Sequence, residues 1–230
     1  KVLFTCDYYF YNGKKIDVLN RIPDILKQIP SIKKVIVFSY NKSDSTKHDY
    51  DKFDEILKAS DENRNFERFE FNHPIYILYS SGTTGIPKCI VHGAGNALIE
   101  QKKELSIHCD VKENDKVFYF TTTGWMMWNW QVAALSCGAS IYLYDGSPFY
   151  PSLDVLIKYC EKNKFTLFGV GAKYIDHLKN EKFDGLKYDL SNLKTITSTG
   201  SPLVSESFEY VYKNIKEDVH LSSISGGTDV

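Results

Sequence analysis

The sequence predicts an α/β fold in which helices cover mostly parallel sheets. Three observations lead there. A helix-spaced segment lies between two apolar strands near the start, making a β-α-β unit. The same strand–helix alternation continues to the end of the chain. Four glycine-bearing turns, 123–125, 144–147, 198–202 and 225–229, follow predicted strands, where open α/β sheets gather their ligand groups.

Residues 1–10 read as one buried strand ending near the Asn12-Gly13 turn. Residues 17–29 set Val18, Leu19, Ile22, Ile25, Leu26 and Ile29 at helical spacing, and Pro30, with no amide proton, stops the helix. Val35-Ile36-Val37-Phe38 centres a second strand over 33–40. Residues 41–52 are polar and read as a mobile loop, and 53–59 as a short helix. Ile75-Tyr76-Ile77-Leu78 and Cys89-Ile90-Val91-His92 flank a polar loop and predict a hairpin. Residues 94–108 are helix-like, with Leu98 and Leu105 on one side, and 116–121 form an apolar strand. Residues 125–136 are apolar nearly all round, which predicts a buried helix. Strands over 140–144, 166–169, 193–197 and 219–224 then alternate with helices at 152–162, 174–178 and 206–215.

A chain of 230 residues can bury a substantial core. Lysine and arginine number 28 against 29 acidic residues, a net charge of −1, which gives no electrostatic case for nucleic acid or an anionic membrane. No apolar run approaches the roughly 18 residues of a membrane span, and no basic-plus-apolar leader opens the chain. The cysteines number five and show no Cys-x-x-Cys spacing, so reduced thiols, a cytoplasmic setting and no structural zinc are expected. Cys89 reads as a small packing residue. Of His73, His92, His108, His177 and His220, none has metal-ligand spacing, and only His92 lies close to the loop. Lys1 opens an apolar run and Val230 directly follows a glycine-rich motif, so the chain reads as a piece of a longer protein. Oligomeric state is not legible at this level.

The loop carries the chemistry. Ser80-Ser81-Gly82-Thr83-Thr84-Gly85 is rich in glycine and hydroxyls, and Lys88 adds a cation at its end. Successive backbone N–H groups in such a loop form an anion-binding concavity suited to phosphates. It is not a Walker loop. Pro87 stands where the second glycine would be, and Cys89 where a Mg²⁺-binding hydroxyl is required. Pro87 also biases Ile86 away from helix. A plain flexible turn is the bland reading, against which stands its length, since hairpin loops seldom exceed about five residues.

Ser-Ser-Gly-Thr-Thr-Gly-x-Pro-Lys resembles the phosphate loop of the adenylate-forming superfamily, with Cys89 in place of the usual glycine after the lysine. Phe71-Asn72-His73-Pro74, Gly124-Trp125-Met126-Met127-Trp128-Asn129-Trp130, Tyr144-Asp145-Gly146-Ser147-Pro148 and Ser225-Gly226-Gly227-Thr228-Asp229 narrow the resemblance to its acetoacetate-activating branch. The resemblance implies that the chain is part of a large N-terminal adenylation domain. A first β-α-β segment would span 1–73, and 74–230 would carry the loop and a nucleotide and acyl crevice, with the C-terminal lid domain absent. It implies a ligase that uses ATP, Mg²⁺ and CoA to convert acetoacetate to acetoacetyl-CoA, AMP and diphosphate through an acyl-adenylate.

The same resemblance assigns roles residue by residue. Ser80, Ser81, Gly82, Thr83, Thr84, Gly85 and Lys88 would hold phosphates. Thr199, Gly200, Ser201 and Pro202 would wall the adenine and acyl sites, although an ordinary strand-to-helix turn fits those residues as well. Gly226, Gly227 and Thr228 would approach the nucleotide, with Thr228 on the α-phosphate and Asp229 on Mg²⁺. Asp229 replaces the usual glutamate, one methylene longer, and Gly-Gly-Thr-Asp also reads as an N-cap turn. Trp125, Met126, Met127 and Asn129 would line the acyl pocket, with Asn129 near the 3-keto oxygen, although a Met/Trp-rich helix is more often plain core. Gly226 stands where acetyl-selective relatives carry tryptophan, which would lengthen the pocket. Lys88, Thr228 and Asp229 are the candidate catalytic residues. The chain alone is expected to be inactive or nearly so. A ligase for another short or medium acid and a non-catalytic nucleotide-binding relative remain the alternatives.

Overall fold

The computed structural model describes residues 1–42, 47–59, 65–80 and 85–228. These form two compact units, one of residues 1–67 with 145–151 and one of 68–144 with 152–230.

In the first unit, β1 (Val2–Cys6), β4 (Lys34–Phe38) and β5 (Asp51–Lys52) make a parallel sheet in the order β1-β4-β5. The expected single strand over 1–10 is interrupted at Asp7. Its fully buried carboxylate accepts the amide protons of Tyr8 (2.8 Å) and Tyr40 (2.9 Å), turning the chain out of the sheet. The chain then forms a separate antiparallel hairpin, β2 (Tyr8–Tyr11) with β3 (Lys14–Asp17), closed through Asn12 and Gly13 at positive φ. β1 is not buried as expected, because Val2 and Phe4 are exposed. Asp17 ends β3 and its carboxylate caps the next turn by accepting the Asn20 amide proton. The helix therefore begins later than the spacing suggests, with a 3₁₀ turn (Leu19–Arg21) leading into α1 (Ile22–Gln28). Ile22, Val35 and Val37 form its small core. The predicted loop over 41–52 ends in β5, directly followed by α2 (Phe53–Lys58); residues 43–46 lie outside the description.

The second unit holds a five-stranded, wholly parallel sheet, β12-β11-β10-β8-β9. Its strands are β8 (Lys116–Tyr119), β9 (Ser140–Tyr142), β10 (Leu167–Gly171), β11 (Thr195–Thr199) and β12 (His220–Ser223). The chain leaves β8 toward one edge and β10 toward the other. The carboxyl ends of β8 and β10 are thus a topological switch point, where such sheets open a crevice. Alternation along β8 divides the core. Val117 and Tyr119 face a cluster with Leu105, Met127, Trp130 and Ala134. Phe118 faces the other side and stacks on Phe165 and Phe168, at 5.1 and 5.5 Å between ring centroids. The helices α5 (Val155–Asn163), α6 (Ala172–Asn180) and α7 (Ser205–Asn214) alternate with the strands as expected, α6 starting two residues earlier than predicted.

The hairpin is present, as β6 (Pro74–Ser80) antiparallel to β7 (Lys88–Gly93). Cys89 is exposed on β7, so it is not the packing residue the sequence suggested. In α3 (Ala94–Lys103) and the π-helical turn that continues it (Glu104–His108), the buried positions are Ala97, Gln101 and Leu105, each four residues on. Leu98, expected beside Leu105, is exposed. α4 (Met126–Ala133) ends in a 3₁₀ turn (Ala134–Cys137) and is buried on one side only: Met127, Trp130 and Gln131 are inside, whereas Trp125 just before it is exposed. Among the described residues no helix is long and apolar enough to cross a membrane.

Candidate active site

The polar loop leaves the hairpin between Ser80 and Lys88, which sit opposite each other across the two strands. Their pairing brings the lysine back to the loop's entry, and Lys88 is exposed there. Ser81, Gly82, Thr83 and Thr84 lie outside the described residues, as does Asp229. Gly85 sits at φ +153° with open space around it.

Far along the chain, the last glycine-rich segment returns to this point. The Thr228 hydroxyl donates to the Tyr79 carbonyl at 3.5 Å, across 149 residues of sequence. Thr228 therefore stands one residue from Ser80, at the mouth of the loop. The segment arrives there because β12 is the sheet's edge strand and Ser225-Gly226-Gly227 continues from its carboxyl end.

Two clefts meet at Met126. One, of about 350 Å³, is lined by Tyr76, His92 and Gln101 and by Met126, Gly227 and Thr228. In it the Gln101 amide donates to the Tyr76 hydroxyl at 2.8 Å, and the His92 ring lies 5.1 Å from the Tyr76 ring. The His92 Nε2 is buried and has no hydrogen-bond partner among the described residues. Burial raises the Tyr76 hydroxyl above the ordinary phenol range.

The second cleft, of about 340 Å³, follows β12 from His220 to Gly226 and is lined also by Met126, Met127, Trp130, Thr199 and Glu104. Trp130 is almost wholly buried and packs edge-on against Tyr119, 5.8 Å between centroids. Burying such a ring, roughly 150–250 Å² at about 25 cal/mol per Å², contributes about 4–6 kcal/mol before entropy. One hydrogen bond adds about 1 kcal/mol. Packing therefore holds the ring in place, and the hydrogen bond decides its orientation. That bond runs from the Trp130 indole N–H to the Glu104 carboxylate at 3.0 Å. Burial first, and then neighbouring Glu100, push the Glu104 carboxyl above the usual carboxylate range. Burial, with Glu104 nearby, raises the Cys109 thiol to about 11, which leaves it protonated.

Of the other sequence candidates, some line these clefts and others do not. Thr199 ends β11 and lines the second cleft, its hydroxyl donating to the Ile224 carbonyl at 3.4 Å. Gly200 holds φ +87°, a conformation that disfavours any side chain, although the space around it is open. Ser201 and Pro202 are exposed beside it. Gly226 also has open space where a Cβ would project. Asn129 is half-buried and is not among the residues lining either cleft, nor is Trp125. Sequence reasoning did not single out Tyr76, Gln101, Glu104 or Trp130 as site residues. Gln101 is 25 residues from Tyr76 and Trp130 26 from Glu104, so no local spacing could announce either pair.

A parallel sheet with its switch-point crevice, a lysine at the mouth of a hydroxyl-rich loop, and a returning Gly-Gly-Thr segment make this an α/β protein with a candidate anion site. The chain belongs to the AMP-binding enzyme family, whose model matches residues 1–224. Among its relatives are the acetoacetyl-coenzyme A synthetase of Rhizobium meliloti, 44% identical over 234 residues, and the acetoacetyl-CoA synthetase of Gallus gallus, 45% identical over 240. Each match takes in 100% of this chain and 36% of the relative. The solved acetoacetyl-CoA synthetase from Streptomyces lividans superposes with a TM-score of 0.91 at 37% identity, over 99% of this chain and 36% of that one. The chain thus spans about a third of the length of these proteins.

Proposed function

We propose that the chain is part of the large N-terminal domain of an ATP-dependent acid–thiol ligase that joins acetoacetate to CoA, releasing AMP and diphosphate. The observation that carries this reading is the contact of Thr228 with the Tyr79 carbonyl, which brings the Gly-Gly-Thr segment to the strand that leads into the loop. The names of the similar proteins supply the acid. In this division residues 1–73 are a β-α-β segment and 74–230 carry the loop and crevice, with a C-terminal lid domain completing the enzyme.

The acid's carboxylate attacks the α-phosphorus of ATP, diphosphate leaves, and an acyl-adenylate forms. The CoA thiol then attacks the acyl carbon and AMP leaves. A carboxylate is already a nucleophile, so the first step needs no side-chain base. It needs donors and positive charge where two anions meet, held in place beforehand. Ser80, Ser81, Gly82, Thr83, Thr84 and Gly85 offer amides and hydroxyls to the phosphates. Lys88 neutralises charge passing to the leaving diphosphate, and the Thr228 hydroxyl, turned from the Tyr79 carbonyl, donates to the α-phosphate. Gly200, Ser201 and Pro202 form one wall for the adenine, with Gly226 and Gly227 approaching the nucleotide and Thr199 on the side of the acid. Met126, Met127 and Gly226, which line the second cleft, are assigned to the acid, whereas Trp125 and Asn129, the sequence's other candidates for it, line neither cleft. Asp229, outside the described residues, is proposed to hold an ion together with the nucleotide's own oxygens. Mg²⁺ favours that oxygen set and would screen the phosphates when bound. Cytoplasmic location is proposed from the unpaired thiols.

The test is diphosphate release by the complete protein with acetoacetate, butyrate and acetate. Lys88→Ala is expected to lower kcat/KM at least about 100-fold. Activation at normal speed by that variant would overturn the ligase reading, and a higher kcat/KM for butyrate or acetate would reassign the acid.

A further inference from the structure

We propose that Glu104 determines specificity in the acyl cleft: it orients the Trp130 indole and keeps out acids that carry a second negative charge. This rests on reading that cleft as the acid-binding pocket.

Glu104 opens the π-helical turn that ends α3, and such turns re-aim side chains from the regular helical rows. Glu104 lines the cleft along with Met126, Met127, Trp130 and Ile224. An indole N–H can only donate, and a buried one needs an acceptor, which Glu104 supplies at 3.0 Å. One turn back, Glu100 lies within hydrogen-bonding reach of Glu104 and is paired with Lys103 at 3.2 Å. With both carboxylates ionised and Lys103 offsetting one of them, the cluster keeps one negative charge. Beside apolar walls that charge is less screened than at an open surface. A four-carbon acid whose tail is neutral, whether alkyl or keto, meets the Trp130 ring without penalty. One whose tail ends in a second carboxylate meets a like charge. The cleft is accordingly built for short monocarboxylic acids, 3-oxo acids among them, and against dicarboxylic acids of equal length.

The experiment compares acetoacetate, butyrate and succinate with the complete protein as wild type, Glu104→Gln and Glu104→Ala. Glutamine removes the charge and retains a carbonyl acceptor for the indole. E104Q is expected to raise the succinate-to-butyrate ratio of kcat/KM at least about tenfold, mostly through KM. E104A loses the acceptor too, so its KM for acetoacetate rises above that of E104Q. A wild type active on acetoacetate whose ratio is unchanged in E104Q overturns the proposal, and that ratio alone decides if E104A does not fold. A wild type that activates none of the three acids instead sinks the ligase reading.

Discussion

Asp154 draws three donors onto one carboxylate. The Ser152 hydroxyl lies at 2.5 Å, the Tyr188 hydroxyl at 2.6 Å and the Lys158 ammonium at 2.9 Å. Together they hold its carboxyl well below the usual carboxylate range, the serine contributing most. Tyr188, partly buried and facing that charge, is pushed up to about 12. The carboxylate ties the start of α5 to the segment before β11. Asp154→Asn is expected to cost about 1–2 kcal/mol at neutral pH, measured by urea unfolding. Because the folded-state value is depressed, the contribution is fully present above the unfolded carboxylate value of about 4 and is lost as pH falls through the folded value. The gap between wild type and variant should therefore narrow steadily below about pH 4, and a gap of constant size down into acid would contradict it. None of this was visible in the sequence, where Asp154 is one acid near a helix start. Lys88 and Thr228 could be proposed from the sequence because their motifs are contiguous. Glu104 was not, because its role depends on a tryptophan one helix away.

Elements were legible where a segment packs on one layer, and less so where a buried polar group intervened. The hairpin, β8 to β12 and α5 to α7 follow their local periodicity. Residues 1–10 did not, since Asp7 satisfies two backbone amides internally and breaks the strand. On α3 the buried row runs through Gln101 rather than Leu98, because Gln101 finds a partner in the Tyr76 hydroxyl of the hairpin. β10 shows how elements fit one another. Gly169 pairs with Tyr119 on β8, and a Cβ there would meet the tyrosine ring at 2.1 Å. Tyr119 in turn packs against Trp130. Gly169→Ala should therefore displace Tyr119 toward α4, destabilising the fold by about 1–3 kcal/mol in urea unfolding. In the complete protein it should also raise KM for the acid. Unchanged stability would show that the ring has room to move.

For the whole molecule, the reading as a ligase needs more protein than these residues supply, because the chain spans 36% of each synthetase it resembles. The isolated 230-residue chain is expected to release no measurable diphosphate with ATP and acetoacetate, and measurable release would contradict that. By itself the sequence determined the α/β class, the hairpin with its hydroxyl-rich loop, and most helices and strands. These arise from periods of 2 and 3.6 and from turn residues, which are properties of chain neighbours. Only the tertiary structure decided which distant groups meet: Thr228 at Tyr79, Gln101 at Tyr76, Trp130 at Glu104. Those meetings depend on the strand order β12-β11-β10-β8-β9 and on how α3 and α4 pack over it, and no local pattern encodes that order.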